Sequence, residues 1–97
     1  MGEIVRDSVK EVGPRQIGFV VNVRKRDVHA VITAEAVLDM PSDKIGDAEM
    51  SEAVERVKRD AHHTFSWKVE EMVRAGTPSG SADEPLFINS ISFRRPA

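Results

Sequence analysis

No cysteine occurs among the 97 residues. That excludes a disulfide framework, a thiolate nucleophile and a cysteine-ligated zinc. No apolar run approaches the roughly 20 residues that a helix needs to cross a bilayer. The first six residues, Met1-Gly2-Glu3-Ile4-Val5-Arg6, lack the basic start and the apolar run of a signal peptide. Arg6 also stands where a myristoylation signal carries Ser or Thr. A soluble, cytoplasmic protein without membrane contact is therefore expected. A strong charge of one sign is lacking too: 14 Lys and Arg stand against 16 Asp and Glu, a net charge of −2. That argues against nucleic-acid binding by the whole surface but leaves room for a local basic patch. There is no internal repeat. The length suits a single domain, residues 1–97, able to bury about 60–70% of its unfolded surface.

What the chain does have is one long amphipathic stretch. Met50, Val54, Val57, Ala61, Phe65, Met72 and Ala75 recur at three- and four-residue steps, with Glu52, Arg56, Arg59, Glu70 and Arg74 on the opposite face. The spacing predicts one helix over 47–75, with Asp47 as N-cap, Gly76 as C′ residue and Pro78 beyond it. Such a helix is about 40 Å long and should overhang a small sheet. Lys68 falls inside the apolar stripe and is expected to snorkel or to meet a carboxylate.

The other elements are short. Val5, Val9 and Val12 hint at a helical turn within 3–12, with strand or disorder as alternatives. Residues 16–23 and 28–33 alternate apolar and small or polar positions around the turn Arg24-Lys25-Arg26-Asp27, which predicts a hairpin over 16–33. Thr33 suits the N-cap of a short helix over 34–40, which Pro41 stops. Residues 77–85 read as a mobile loop and 86–93 as a third strand. The expected fold is α+β: a small antiparallel sheet, hairpin plus C-terminal strand, packed on one long amphipathic helix. Its core should hold Phe19, Val21, Ile32, Val54, Val57, Ala61, Phe65, Phe87, Ile91 and Phe93.

Ile17-Gly18-Phe19, the hairpin, and then Val28-His29-Ala30-Val31-Ile32-Thr33-Ala34-Glu35-Ala36-Val37-Leu38 resemble the small proteobacterial proteins grouped as domain of unknown function 1488. In that family a valine-aromatic strand leads through a turn to a strand that runs into a short helix. A long charged helix and a last strand follow. The likeness spans residues 16–93. The basic turn departs from the Asn-Gly or Asp-Gly turn common there, and the loop after Gly76 is long. The resemblance implies a bacterial α+β protein and offers no activity, cofactor or catalytic residue.

The chemistry-bearing residues are sparse. His62 and His63 are adjacent, so on a helix their rings point about 100° apart and cannot share an ion as an i, i+4 pair can. A metal would need further ligands, such as His29, and none is expected. Ser51, Ser66, Ser79 and Ser81 lack the strand–turn–helix setting of a nucleophile elbow. The carboxylates of 49–71 read as a solvated helix face with basic partners. No enzyme, no cofactor and no metal is expected. Two surfaces remain. Trp67, flanked by His63 and Glu71, lies off the apolar stripe and is the candidate partner surface, with a homodimer expected. Arg24, Lys25 and Arg26 form a candidate nucleic-acid patch, though no aromatic is interleaved to stack bases. The expected function is a non-enzymatic protein-interaction module that self-associates; a nucleic-acid-binding accessory protein is the second reading and an enzyme the third.

Overall fold

A computed structural model describes residues 2–76 and 80–89. Three strands open the chain: β1 (Glu3–Gly13), β2 (Gln16–Val23) and β3 (Arg26–Thr33). Helices α1 (Ala34–Leu38), α2 (Asp47–Arg59) and α3 (Thr64–Arg74) follow, and β4 (Leu86–Ile88) closes the sheet. The order is β1-β2-β3-β4. The fold is α+β as expected, but the sheet is mixed rather than wholly antiparallel. β4 runs parallel to β3, because the chain returns to the sheet by way of the helical layer, the kind of crossover that parallel pairing requires.

Residues 3–12, where helical spacing was one reading, are a strand. A register shift between Val5 and Lys10 explains the misleading pattern. β1 takes five steps there against two on β2, and an odd excess of residues reverses the facing of those beyond it. Val5 thus stays 42% exposed while Val9 enters the core. Inside this bulge the Ser8 hydroxyl accepts the Val20 N–H at 2.8 Å and donates to the Val5 carbonyl, replacing ladder bonds that the bulge removes.

Each tight turn uses left-handed backbone. Arg15 has φ 59° after Pro14, and Arg24 and Lys25 have φ 52° and 67°. Two consecutive positive values are the requirement of a two-residue hairpin turn matched to strand twist. The turn is therefore Arg24-Lys25 alone, and Arg26 and Asp27 belong to β3.

The single long helix does not exist. Asp60, His62 and His63 take φ 39°, 60° and 56° and divide it into α2 and α3. At 13 and 11 residues these span about 20 and 17 Å, neither longer than an eight-residue strand and each about half of the expected 40 Å. The N-cap of α2 is Gly46 rather than Asp47, which sits in the first turn beside Glu49. Gly76 ends α3 with φ 83°, as its freedom at positive φ suits. Thr33 caps α1, its hydroxyl accepting the Ala36 N–H at 3.2 Å.

The core lies between one sheet face and the helices. Ile17, Phe19, Val21 and Ile32 meet Val57, Phe65 and Val69, all buried. Val54 is half-buried, Ala61 is exposed at the helix break, and Ile91 and Phe93 lie outside the described residues. Phe87 is a correction. It is 49% exposed, while Leu86 and Ile88 are fully buried. Both faces of 86–88 are apolar, so alternation alone cannot orient the strand. Pairing of Leu86 with Ala30 and of Ile88 with Ile32 does.

Candidate interaction surfaces

The helix break is built on one side chain. Asp60 ends α2 in left-handed backbone, its N–H donating to the Arg56 carbonyl at 2.9 Å. Its carboxylate accepts the Phe65 N–H at 2.7 Å, the Ser66 N–H at 3.4 Å and the Ser66 hydroxyl. The residue thereby terminates one helix and caps the next. His62 and His63 project from this break and are exposed. His29 lies on the far face of the sheet, paired with Val20, so it cannot join them. No group of three or more His, Asp or Glu among the described residues could hold a metal ion. A shallow groove of about 250 Å³ beside the break is lined by Arg6, Lys58, Arg59 and His63 together with Glu3 and Asp60.

Trp67 lies one turn into α3 and is 59% exposed. Of its two expected companions, His63 is the residue that precedes α3 and is exposed, and Glu71 is bonded to Lys68 at 3.1 Å. That ion pair resolves the place of Lys68, which lies at the edge of the apolar stripe against a carboxylate. The next carboxylate, Glu70, points inward and accepts the Gly2 N–H at 3.2 Å and an Arg74 N–H at 2.9 Å. The Gly2 hydrogen bond, helped by the Arg74 charge, holds the Glu70 carboxyl below its ordinary range against the opposing effect of burial. The start of the chain is thus fastened beside the Trp67 flank.

Arg24, Lys25 and Arg26 are exposed at the end of the β2–β3 hairpin, and none is in an ion pair with a described residue. The adjoining Asp27 accepts from the Asn22 amide at 3.1 Å. The structure brings the three cations together at one tip, far in sequence and in element from the Trp67 flank.

A third surface was missed by the sequence reading: the sheet face turned away from the helices. Two cross-strand rows define it. One runs Val5, Val20, His29; the other runs Lys10, Gly18, Val31, Phe87. Val12 leans over Gly18, so close that a β-carbon there would lie 2.6 Å from a Val12 methyl. Between the β1 bulge and residues 82–85 the face hollows into a cleft of about 480 Å³, floored by Val12, Gly18, Val20 and Val31 and edged by Lys10 and His29. Its far wall comes from the stretch expected as a mobile loop. The described part of that stretch is tied down, the Gly80 carbonyl accepting the His29 N–H at 2.8 Å and the Gly80 N–H donating to the Glu84 carbonyl at 2.7 Å. The signal for this surface was present in the alternate positions of β2 and β3, where Val20 and Val31 stand in place of polar residues.

No helix among the described residues is long and apolar enough to cross a membrane. No family model, curated protein or solved structure matches the chain.

Proposed function

We propose that this protein is a non-enzymatic protein-interaction module that self-associates through the flank of α3 carrying His63, Trp67 and Glu71. The exposure of Trp67 carries this reading. It is the largest apolar side chain in the sequence, and more than half of it is open to solvent. Tryptophan is enriched at interface centres because it brings large apolar area with one polar handle. A two-fold contact on this flank places the same ring on both copies. The setting proposed is the bacterial cytoplasm, in keeping with the resemblance of residues 16–93 to the domain of unknown function 1488 proteins, a kinship we also propose. Tryptophan emission reports on this flank alone, since Trp67 is the single tryptophan. Emission should shift to the blue as the protein is concentrated, and Trp67→Glu should halve the mass of the parental assembly while the circular dichroism is unchanged. An emission maximum that is independent of concentration removes the flank from the assembly.

The hairpin tip supports a second reading, a nucleic-acid-binding accessory role. Arg24 and Lys25 occupy left-handed positions that favour glycine or asparagine. A strained backbone position kept by a cation points to a use for that side chain. Salt-sensitive retention on a DNA column, lost on charge reversal of Arg24, Lys25 and Arg26, is the expected result; a parent that flows through at low salt ends this reading.

A further inference from the structure

We infer that the hollow between α1 and the helix break binds a small organic acid, a carboxylate that carries an apolar body. The hollow has a volume of about 340 Å³, within the range of about 300–1,000 Å³ usual for small-molecule sites. Val37 from α1 and Phe65 from α3, both buried, floor it together with Ala61. Arg56, Arg59 and His62 are exposed and stand at its rim. No acidic side chain lines it. Apolar walls with a few convergent polar groups are the usual make-up of such a site.

The helix break assembles these groups. Asp60 and His62 take φ 39° and 60°, backbone that residues with a side chain adopt only at a cost, and such strain gathers at binding sites. His62 borders this hollow and His63 borders the groove on the other side of the break, while Arg59 borders both. The Asp60 carboxylate is turned to the Phe65 and Ser66 N–H groups. It lines the other groove, where with Glu3 it offsets the cations. In the hollow the balance differs. Glu52 reaches Arg56 at 3.3 Å, but Arg59 is in no ion pair with a described residue. One cation is left unmatched, which suits a monoanion rather than a phosphate dianion. A guanidinium offers a planar fork of N–H donors that fits a carboxylate. A histidine ring keeps at least one N–H in either protonation state and can add another donor. The Thr64 hydroxyl is committed to the Ala61 carbonyl at 3.0 Å. The free donors therefore lie at the rim and the apolar surface lies below them. An acid that lays its body on Val37, Ala61 and Phe65 and its carboxylate against Arg59 satisfies both.

Benzoate is the probe, titrated into the full chain while the backbone amide resonances are followed. Those of Val37, His62 and Thr64 should shift saturably, with a Kd of about 1 mM or below. Benzamide has the shape without the charge, and acetate the charge without the body; each should bind about tenfold or more weakly. Arg59→Gln should weaken benzoate by about the same factor. Arg59 is exposed, so the fold should survive; Ala61→Leu, also at an exposed position, fills the floor and should abolish binding on its own. Benzoate that never saturates overturns the proposal. So does benzamide or inorganic phosphate that binds as well as benzoate, and so does an Arg59→Gln chain that binds as its parent does. Shifts confined to Glu3, Arg6 and His63 would place the anion in the other groove and overturn it too.

Discussion

The Asp60 carboxylate accepts hydrogen bonds from two backbone N–H groups and a hydroxyl at the start of α3. Removing it takes the capping acceptor away from the Phe65 and Ser66 N–H groups. Asp60→Ala should cost about 1–2 kcal/mol, the loss of a cap. Asp60→Asn should cost less, because asparagine tolerates left-handed backbone and keeps one acceptor. Urea melts of the three proteins give the order, and an Asp60→Ala protein as stable as its parent refutes the account of the break. The tip gives the opposite sign. Lys25 sits at φ 67°, a conformation costing a side-chain-bearing residue about 1–2 kcal/mol, partly offset by the greater freedom of glycine in the unfolded chain. Lys25→Gly should therefore stabilise the protein by about 0.5–1 kcal/mol. A gain in stability joined to a loss of DNA retention is what the second functional reading requires.

The sheet and helices were legible in the sequence to unequal degrees. The hairpin followed from alternation, because β2 and β3 pair without a bulge from Gln16 and Thr33 to Val23 and Arg26. β1 was ambiguous because its bulge imitates helical spacing at Val5, Val9 and Val12. The helix break was hidden because Val57 and Phe65 lie on one apolar face whether or not the helix is continuous. The polar run Arg59-Asp60-Ala61-His62-His63-Thr64 between them was the available sign, with Asp60 five residues before the N–H that it caps. The exposure of Trp67 was legible, since one residue off an apolar stripe needs no long-range information. The outward sheet face was not, because its rows form only when β1, β3 and β4 are set in register. Phe65 tests the packing of the helical layer. It is buried against the sheet, and Phe65→Ala should cost about 3–5 kcal/mol. A thermal melt that matches the parent would show that α3 does not depend on this contact.

Across the whole molecule, the first described residue and the last helix are joined by one carboxylate. Gly2 bonds to Glu70 over 68 positions of sequence, which fastens the leading end of the edge strand β1 to α3. Among the described residues β1 pairs with β2 and packs on α2. The bond also links folding to pH. Folding lowers the Glu70 pKa, chiefly through the Gly2 N–H. A group with a depressed folded pKa binds its proton more weakly in the folded state than in the unfolded chain, so the unfolded chain takes up protons first as pH falls. The stabilisation is complete above the unfolded value of about 4.3 and is lost as pH falls through it toward the lower folded value. Glu70→Gln cannot ionise and should be less stable than the parent at neutral pH, with the difference narrowing below pH of about 4. Melting temperatures of both proteins across that range test this, with mass monitored so that dissociation is not mistaken for unfolding. Curves that stay parallel down through the carboxylate range would assign the acid sensitivity to other groups and leave the β1 end held by its pairing with β2 and its packing on α2.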